Sequence, residues 1–369
     1  MRSTALTESV EEATPALRPD LATRLRRQSV WFGIIGLAIV TLLFSEVLSG
    51  LSLYTYNNVL LACLGAIALT VLMGTGGQAS IGNSAFLAIG GFSAVYVDRS
   101  GLPIALSIIA GTAAAGIAGM IVALPAVRIR GFYLALCTVA LFFVVVYVVQ
   151  TYQHNTVGDS GFFVPSLFAS KGAHGAQQYW AWLLFAILSL CILFARRLMS
   201  GVFGRSLRMV RSSEKAAAVL GVNVPKLKVT VFGITSAMIG LQGALTLYFI
   251  GSLSSDSFTL ALAIQYLAMV VVGGADSILG AVIGAALIVS MPTWIPSIVT
   301  DIAGSNIGRN DGPFISEMLY GGLLVVFVLA SPTGLAGLLR KSYNKIVNLI
   351  LRPDGSVKVP ANVDPDTSA

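Results

Sequence analysis

Ile104 to Leu124 runs for 21 residues without one ionisable side chain. A helix needs about 20 mostly apolar residues to cross the hydrocarbon core of a bilayer. Runs of this kind recur along the chain. Spans are expected at 30–50, 58–73, 83–97, 102–124, 131–152, 179–195, 229–250, 259–273, 278–291 and 315–331. Within lipid every backbone amide and carbonyl must be satisfied inside the protein, which restricts spanning structures to helices and closed barrels. Most of these runs have helix length. The fold class is therefore an all-α polytopic membrane protein of about ten transmembrane helices, some short or broken. Charged residues make up 11% of the chain, against roughly 25% in an ordinary soluble domain. No soluble domain of useful size is left over.

Several spans are too short to cross alone. They flank two glycine-rich breaks, GTGGQASIGN (Gly74 to Asn83) and VGGADSILG (Val272 to Gly280). Basic residues mark the cytoplasmic side of a membrane protein. Arg24, Arg26 and Arg27 place the N-terminus inside. Ten crossings then put Arg128 and Arg130 inside, 153–178 outside, 196–228 inside, 292–314 outside and the C-terminus inside. Segment 196–228 carries Arg196, Arg197, Arg205, Arg208, Arg211, Lys215, Lys226 and Lys228 against one acid, Glu214. The two outside loops hold only Lys171 and Arg309 as bases. The chain divides into a cytoplasmic tail (1–29), a transmembrane domain (30–339) and a second cytoplasmic tail (340–369). Five crossings on either side of 153–178 give the halves opposite orientation. That is the pattern of an inverted repeat, which many transporters use to set a substrate site near the midplane.

Small residues recur four apart at Gly111, Ala115 and Gly119, at Ser236, Gly240 and Ala244, and at Gly280 and Gly284. In lipid such stripes let helix backbones approach closely. Cys63, Cys137 and Cys191 lie in apolar runs and read as small buried hydrophobes, not as disulfides or metal ligands. No nucleotide-binding glycine loop ending in Gly-Lys-Ser/Thr occurs, and no GxSxG or HExxH. Nothing supports an enzyme, a metal site or a nucleic-acid partner. Ionisable groups are scarce in the spans, and ion-coupled pumps depend on such groups. Energy for any transport has to come from elsewhere.

One stretch stands apart from this apolar background: GRSLRMVRSSEKAAAVLGVNVPKLK, Gly204 to Lys228. Ser212 or Ser213 can cap a short helix with Glu214 in its first turn, ended by Gly221 with Pro225 beyond. A helix of about two turns is marginal in water. Its apolar residues Ala217, Val219 and Leu220 want a partner surface. A basic loop lying on anionic lipid is the simpler reading; a docking element for a cytoplasmic motor subunit is the sharper one.

This segment resembles the coupling segment of ABC importer permeases of the branched-chain amino acid class, the LivM-like branch. Glu214, Ala216, Ala217 and Gly221 carry the likeness there. GTGGQASIGNSAFLAIGGF (from Gly74), RGFYLALCTVAL (from Arg130), TSAMIGLQGAL (from Thr235), VVVGGADSILGAVIGAA (from Val270) and SPTGLAGLLRK (from Ser331) extend it over roughly 55–341. The resemblance implies a prokaryotic cytoplasmic-membrane protein that pairs with a sister permease. Two cytoplasmic ATPase subunits and an external solute-binding protein complete the assembly. ATP and Mg would be used by the ATPase, with no cofactor on this chain. It implies an ATPase-coupling set of Arg205, Arg208, Arg211, Glu214, Ala216, Ala217 and Gly221. The family pattern often has histidine where Asn83 stands, and a small residue where Gln242 stands.

Candidates for the translocation path are Gln78, Ser80 and Asn83 at the first break, Tyr133 and Thr138 after the basic turn, Gln242 on the small-residue helix, and Gly273 and Gly274 at the second break. For each of them helix packing is the plain alternative. The expected solute is a branched-chain or other hydrophobic amino acid, with urea, short amides and aromatic carboxylates as alternatives. The rival of another class is a self-sufficient ion-coupled carrier.

Overall fold

The computed structural model describes residues 51–126, 132–165, 167–168 and 172–303, with scattered residues at 36–42 and 318–337. The spans expected at 30–50 and 315–331, both tails, Arg128, Arg130, Lys171 and Arg309 lie largely or wholly outside the described residues. Among the described residues ten helices follow in order: α1 (Leu51–Thr70), α2 (Asn83–Arg99), α3 (Ile104–Ala126), α4 (Phe132–Val157), α5 (Gly172–Ser200), α6 (Val202–Ser212), α7 (Glu214–Val219), α8 (Val224–Ile250), α9 (Leu260–Gly273) and α10 (Ile278–Ala303). Six of the described helical stretches are long and apolar enough to cross a membrane. The chain is an all-α, multi-pass membrane protein.

The contacts between helix ends fix alternating directions. At one end, Asn57 of α1 donates to the Gln177 carbonyl of α5 at 3.0 Å, and Tyr248 of α8 donates to Asp98 of α2 at 2.9 Å. At that same end, Phe162–Phe163 (β1) and Ser252–Leu253 (β2) form a two-stranded antiparallel ladder that joins two connections. Phe92 and Tyr152 pack on Phe162, and Phe258 packs on Phe92. At the opposite end lie α6, α7 and their basic residues; this is called the basic end below.

Helix α1 sits at the centre. Its apolar window is 83% buried, against 28% for α3 and α4 and 22% for α5, which form the outer ring. The small-residue stripes explain the closest contacts. A side chain on Gly240 would run into Ala115, one on Gly119 into Ser236, and one on Gly111 into the Gly90 carbonyl. The stripes of α3 and α8 thus face each other, and α2 inserts against both. Among described residues the Gly280–Gly284 stripe of α10 seats against Gly273 and Met269 of α9. Close backbone packing is what holds helices together where lipid is as apolar as leucine.

Several boundaries differ from the sequence expectation. Residues 153–157 and 172–178, expected in an outside loop, extend α4 and α5. Residues 292–303, also expected outside, continue α10. Arg196 and Arg197 belong to the end of α5, and Val224–Lys228 to the start of α8. The 58–73 span begins at Leu51. Hydropathy falls where a helix leaves the apolar layer, but its backbone ladder continues and its polar side chains find partners. Gln153, for example, accepts from the Ser255 amide at 2.7 Å.

The two glycine-rich breaks are different objects. The first follows a π-helical turn, Val71–Thr75, that widens the end of α1. The chain then runs back into the bundle. Gly82 packs on the Thr138 carbonyl, and Ser84 donates to the Thr259 carbonyl at 3.0 Å. Helix α9 has 14 residues, about 21 Å at 1.5 Å per residue, less than the bilayer core. Both α2 and α9 therefore start inside the bundle, and their starts meet. The second break is a tight turn between α9 and α10 at the basic end, closed by Ser277 N–H to the Gly274 carbonyl at 3.1 Å.

Candidate functional site

A cavity of about 400 Å³ opens between α1, α8, α9 and α10 toward the end away from the basic residues. Its wall carries hydroxyls and amides, including Asn58, Thr246, Gln265 and Thr293, among apolar groups such as Leu61, Leu262 and Val289. Among the described residues no acidic or basic side chain lines it. Gln242 and Tyr266 close its inner side, where Gln242 Nε2 donates to the Tyr266 hydroxyl. Gly65 of α1 makes room for the pair: a Cβ there would meet the Gln242 amide and come within 2.9 Å of the Tyr266 ring. Gln242 is buried, and its Oε1 has no protein partner among the described residues. A buried amide oxygen left in this way is costly unless something donates to it.

Leu87 and Met269 also line the cavity. One helical turn further toward the basic end, about 6 Å on, stand Asn83 on α2 and Gly273 on α9. Asn83, Gln78 and Ser80 are buried. Both side-chain polar atoms of Asn83, Gln78 Nε2 and Thr75 Oγ1 have no protein partner among the described residues. Among the described residues the interior below the cavity is therefore polar and unsaturated in hydrogen bonds.

The expected path residues are not all brought together. Gln78, Ser80, Asn83 and Gln242 share this interior. Thr138 has a packing role: its hydroxyl donates to the Ala135 carbonyl at 2.8 Å and accepts from the Ile81 amide at 3.1 Å, pinning the re-entrant chain to α4. Gly273 and Gly274 shape the α9–α10 junction. Any side chain on Gly273 would strike the Gly280 carbonyl, and Gly274 holds a φ of 104°. Tyr133 is 73% exposed on the outer face of α4, apart from this interior. Tyr266 was missed by the sequence reading, which passed over the polar pair Gln265–Tyr266 inside an apolar run.

The basic end holds the segment expected to couple. Ser213 caps α7, its hydroxyl accepting from the Ala216 amide at 3.3 Å. Gly221, at φ 82°, ends it. Val222 N–H reaches the Ala217 carbonyl and Gly221 N–H the Ala218 carbonyl, each at 3.0 Å, a Schellman closure. Ala216, Val219 and Leu220 are exposed, the latter two at 88% and 69%. Ala217, expected to face a partner, is buried against Val210 and Val224. Glu214 is engaged within the chain, accepting from Lys228 Nζ of α8 at 2.6 Å. Arg205 and Arg208 are exposed and line a second cavity of about 850 Å³, together with Arg196, Arg211 and Asp276. Arg208 donates to the Met199 carbonyl at 2.9 Å. Arg211 reaches the Gly74 carbonyl and Asp276.

Comparison with known proteins gives a consistent picture. A family model described as "Branched-chain amino acid transport system / permease component" matches residues 51–328. The high-affinity branched-chain amino acid transport system permease protein LivM of Escherichia coli (strain K12) is 28% identical, with 74% of this chain and 67% of the relative covered. The protein of the same name from Salmonella typhimurium is 26% identical over the same shares. A probable branched-chain amino acid transport permease protein LivM of Methanocaldococcus jannaschii is 28% identical over 62% of this chain and 67% of its own length.

Proposed function

Because the chain belongs to the branched-chain amino acid transport system / permease component family, we propose that it forms the translocation path of an ATP-driven importer for branched-chain and other hydrophobic amino acids. The observation that carries this is the uncharged, amide- and hydroxyl-lined cavity above Gln242 and Tyr266, opening away from the basic end. Its volume suits one small solute. Its mixed wall suits a zwitterion with an apolar side chain. Without a lining charge it offers little binding strength of its own, which assigns selection to an external solute-binding protein.

The basic end is cytoplasmic in this reading, and both chain termini lie on that side of a prokaryotic cytoplasmic membrane. Arg205 and Arg208 with the exposed face of α7 form the docking surface for an ATPase subunit, which supplies ATP and Mg chemistry in trans. A sister permease completes the path. The amide lining also favours urea and short amides as a second reading; an aromatic carboxylate finds no base in the wall. The scarcity of ionisable groups counts against an ion-coupled carrier.

The test is uptake of labelled leucine, urea and an aromatic carboxylate in cells lacking only this chain. Loss of leucine uptake, restored by the intact gene, is the expected result. Loss confined to urea replaces the solute and keeps the machine. Uptake by the purified chain alone, collapsed by an uncoupler, overturns the ATP-driven reading.

A further inference from the structure

Arg211, half-exposed at the basic end, reaches across to two other segments of the chain. Its Nη1 donates to the Gly74 carbonyl and to Asp276 Oδ1, the latter at 2.5 Å. Gly74 ends α1, and Asp276 lies in the turn between α9 and α10. These two segments touch, since a Cβ on Gly74 would run into the Ala275 carbonyl. Gly77 leaves space for the arginine stem: it holds φ 64°, and a Cβ there would stand 2.8 Å from Arg211 Cγ. One side chain of α6 therefore grips the ends of α1, α9 and α10. Three residues on, Glu214 of α7 holds Lys228 near the start of α8. Those four helices supply most of the wall of the 400 Å³ cavity. The short α6–α7 unit is thus pinned, by two ion pairs and the Gly74 hydrogen bond, to the four helices that supply most of the cavity wall.

We infer that Arg211 is a positioning residue for transport, the link that carries displacement of α6 and α7 to the α1 end and the α9–α10 turn, and so to the cavity floor. This rests on the proposal that an ATPase subunit moves α6 and α7. It differs from a docking role, because the guanidinium is already engaged within the chain by Gly74 and Asp276. The Glu214–Lys228 pair carries the same displacement to α8, so the four helices move as a set.

The experiment uses the assembled transporter in liposomes and compares Arg211→Ala, Arg211→Lys and Asp276→Asn with the parent. Three quantities are read: retention of the ATPase subunit, ATP hydrolysis, and leucine uptake per ATP hydrolysed. Arg211→Ala is expected to retain the subunit and its hydrolysis while uptake per ATP falls by about tenfold, the ordinary scale of coupling between sites. Asp276→Asn keeps the Gly74 contact and is expected to lose less. Arg211→Lys is expected to recover part of the loss. Loss of the subunit, or hydrolysis and uptake falling in proportion, overturns the inference in favour of docking or general stability. A second readout needs no solute. In a Cys137→Ser background, ATP should change the thiol labelling of Thr75→Cys, and Arg211→Ala should abolish that change. If the parent moves no solute yet shows this Arg211-dependent change, the substrate reading fails and the link stands. If the change survives Arg211→Ala, the link is wrong.

Discussion

Gln242 shows how much one residue must satisfy in such an interior. Its amide nitrogen is held by Tyr266, and its oxygen faces a place where only a solute, water or a partner can donate. Gln242→Leu keeps the volume and removes both functions. The lost hydrogen bonds are worth about 1–3 kcal/mol, so the maximal rate of leucine uptake should fall by about tenfold at 1.4 kcal/mol per decade. The chain should still reach the membrane. Tyr133→Ala, on the outer face of α4, should leave that rate unchanged, and equal loss in both variants would remove Gln242 from the path. Gln242, Asn83 and Gln78 were legible in the sequence because an amide inside an apolar run is conspicuous. The outward face of Tyr133 was not legible, because proximity to a basic turn does not say which face of a helix a ring takes. Tyr266 was passed over because tyrosine is common at membrane edges as well as in cores, and only its pairing with Gln242 across two helices gives it a role.

At the scale of elements, the glycine stripes decide which helices meet. Gly240 lies where α8 and α3 approach closely enough for a Cβ to strike Ala115. Gly240→Leu should separate these helices and destabilise the bundle by about 1–3 kcal/mol, as overpacking commonly does. Thermal unfolding of the detergent-solubilised chain should show a lower midpoint. Ile109→Leu, at a position 61% exposed on α3, serves as control; a parent-like melt for Gly240→Leu would disprove the stripe contact. The stripes were readable from spacing alone, because small residues four apart fall on one side of a helix. What spacing could not supply was the partner, and here the α3 stripe found the α8 stripe. Helix ends were the poorest part of the reading. Residues 172–178 and 292–303 are helical although hydropathy has already dropped. At such ends the backbone ladder decides the length. The two glycine-rich breaks look alike in composition, yet one is a re-entrant chain and the other a turn, and the first meets the end of the 251–259 connection at Ser84.

At the scale of the whole molecule, the alternation of helix directions means that one orientation settles all of them. Asp98, Phe162, Gln177, Tyr248 and Ser252 mark one end, and Gly74, Arg211, Glu214 and Asp276 the other. The positive-inside bias assigns the second group to the cytoplasm, and import then requires the cavity to open outward. Two positions test this without disturbing the fold. Phe163 is 75% exposed beside the β-ladder, and Val219 is 88% exposed on α7. In intact cells a membrane-impermeant thiol reagent should label Phe163→Cys and spare Val219→Cys, and permeabilisation should expose the second. Cys63 and Cys191 are buried and Cys137 is replaced by serine, so the background stays low. Labelling in the reverse order would place the arginines outside and the cavity mouth inside. An ATPase could then not reach α7 from the cytoplasm, and both the importer reading and the Arg211 link would fall together. Labelling in the expected order leaves the cavity facing the supply of solute and the two ion pairs facing the source of energy, which is the arrangement uptake requires.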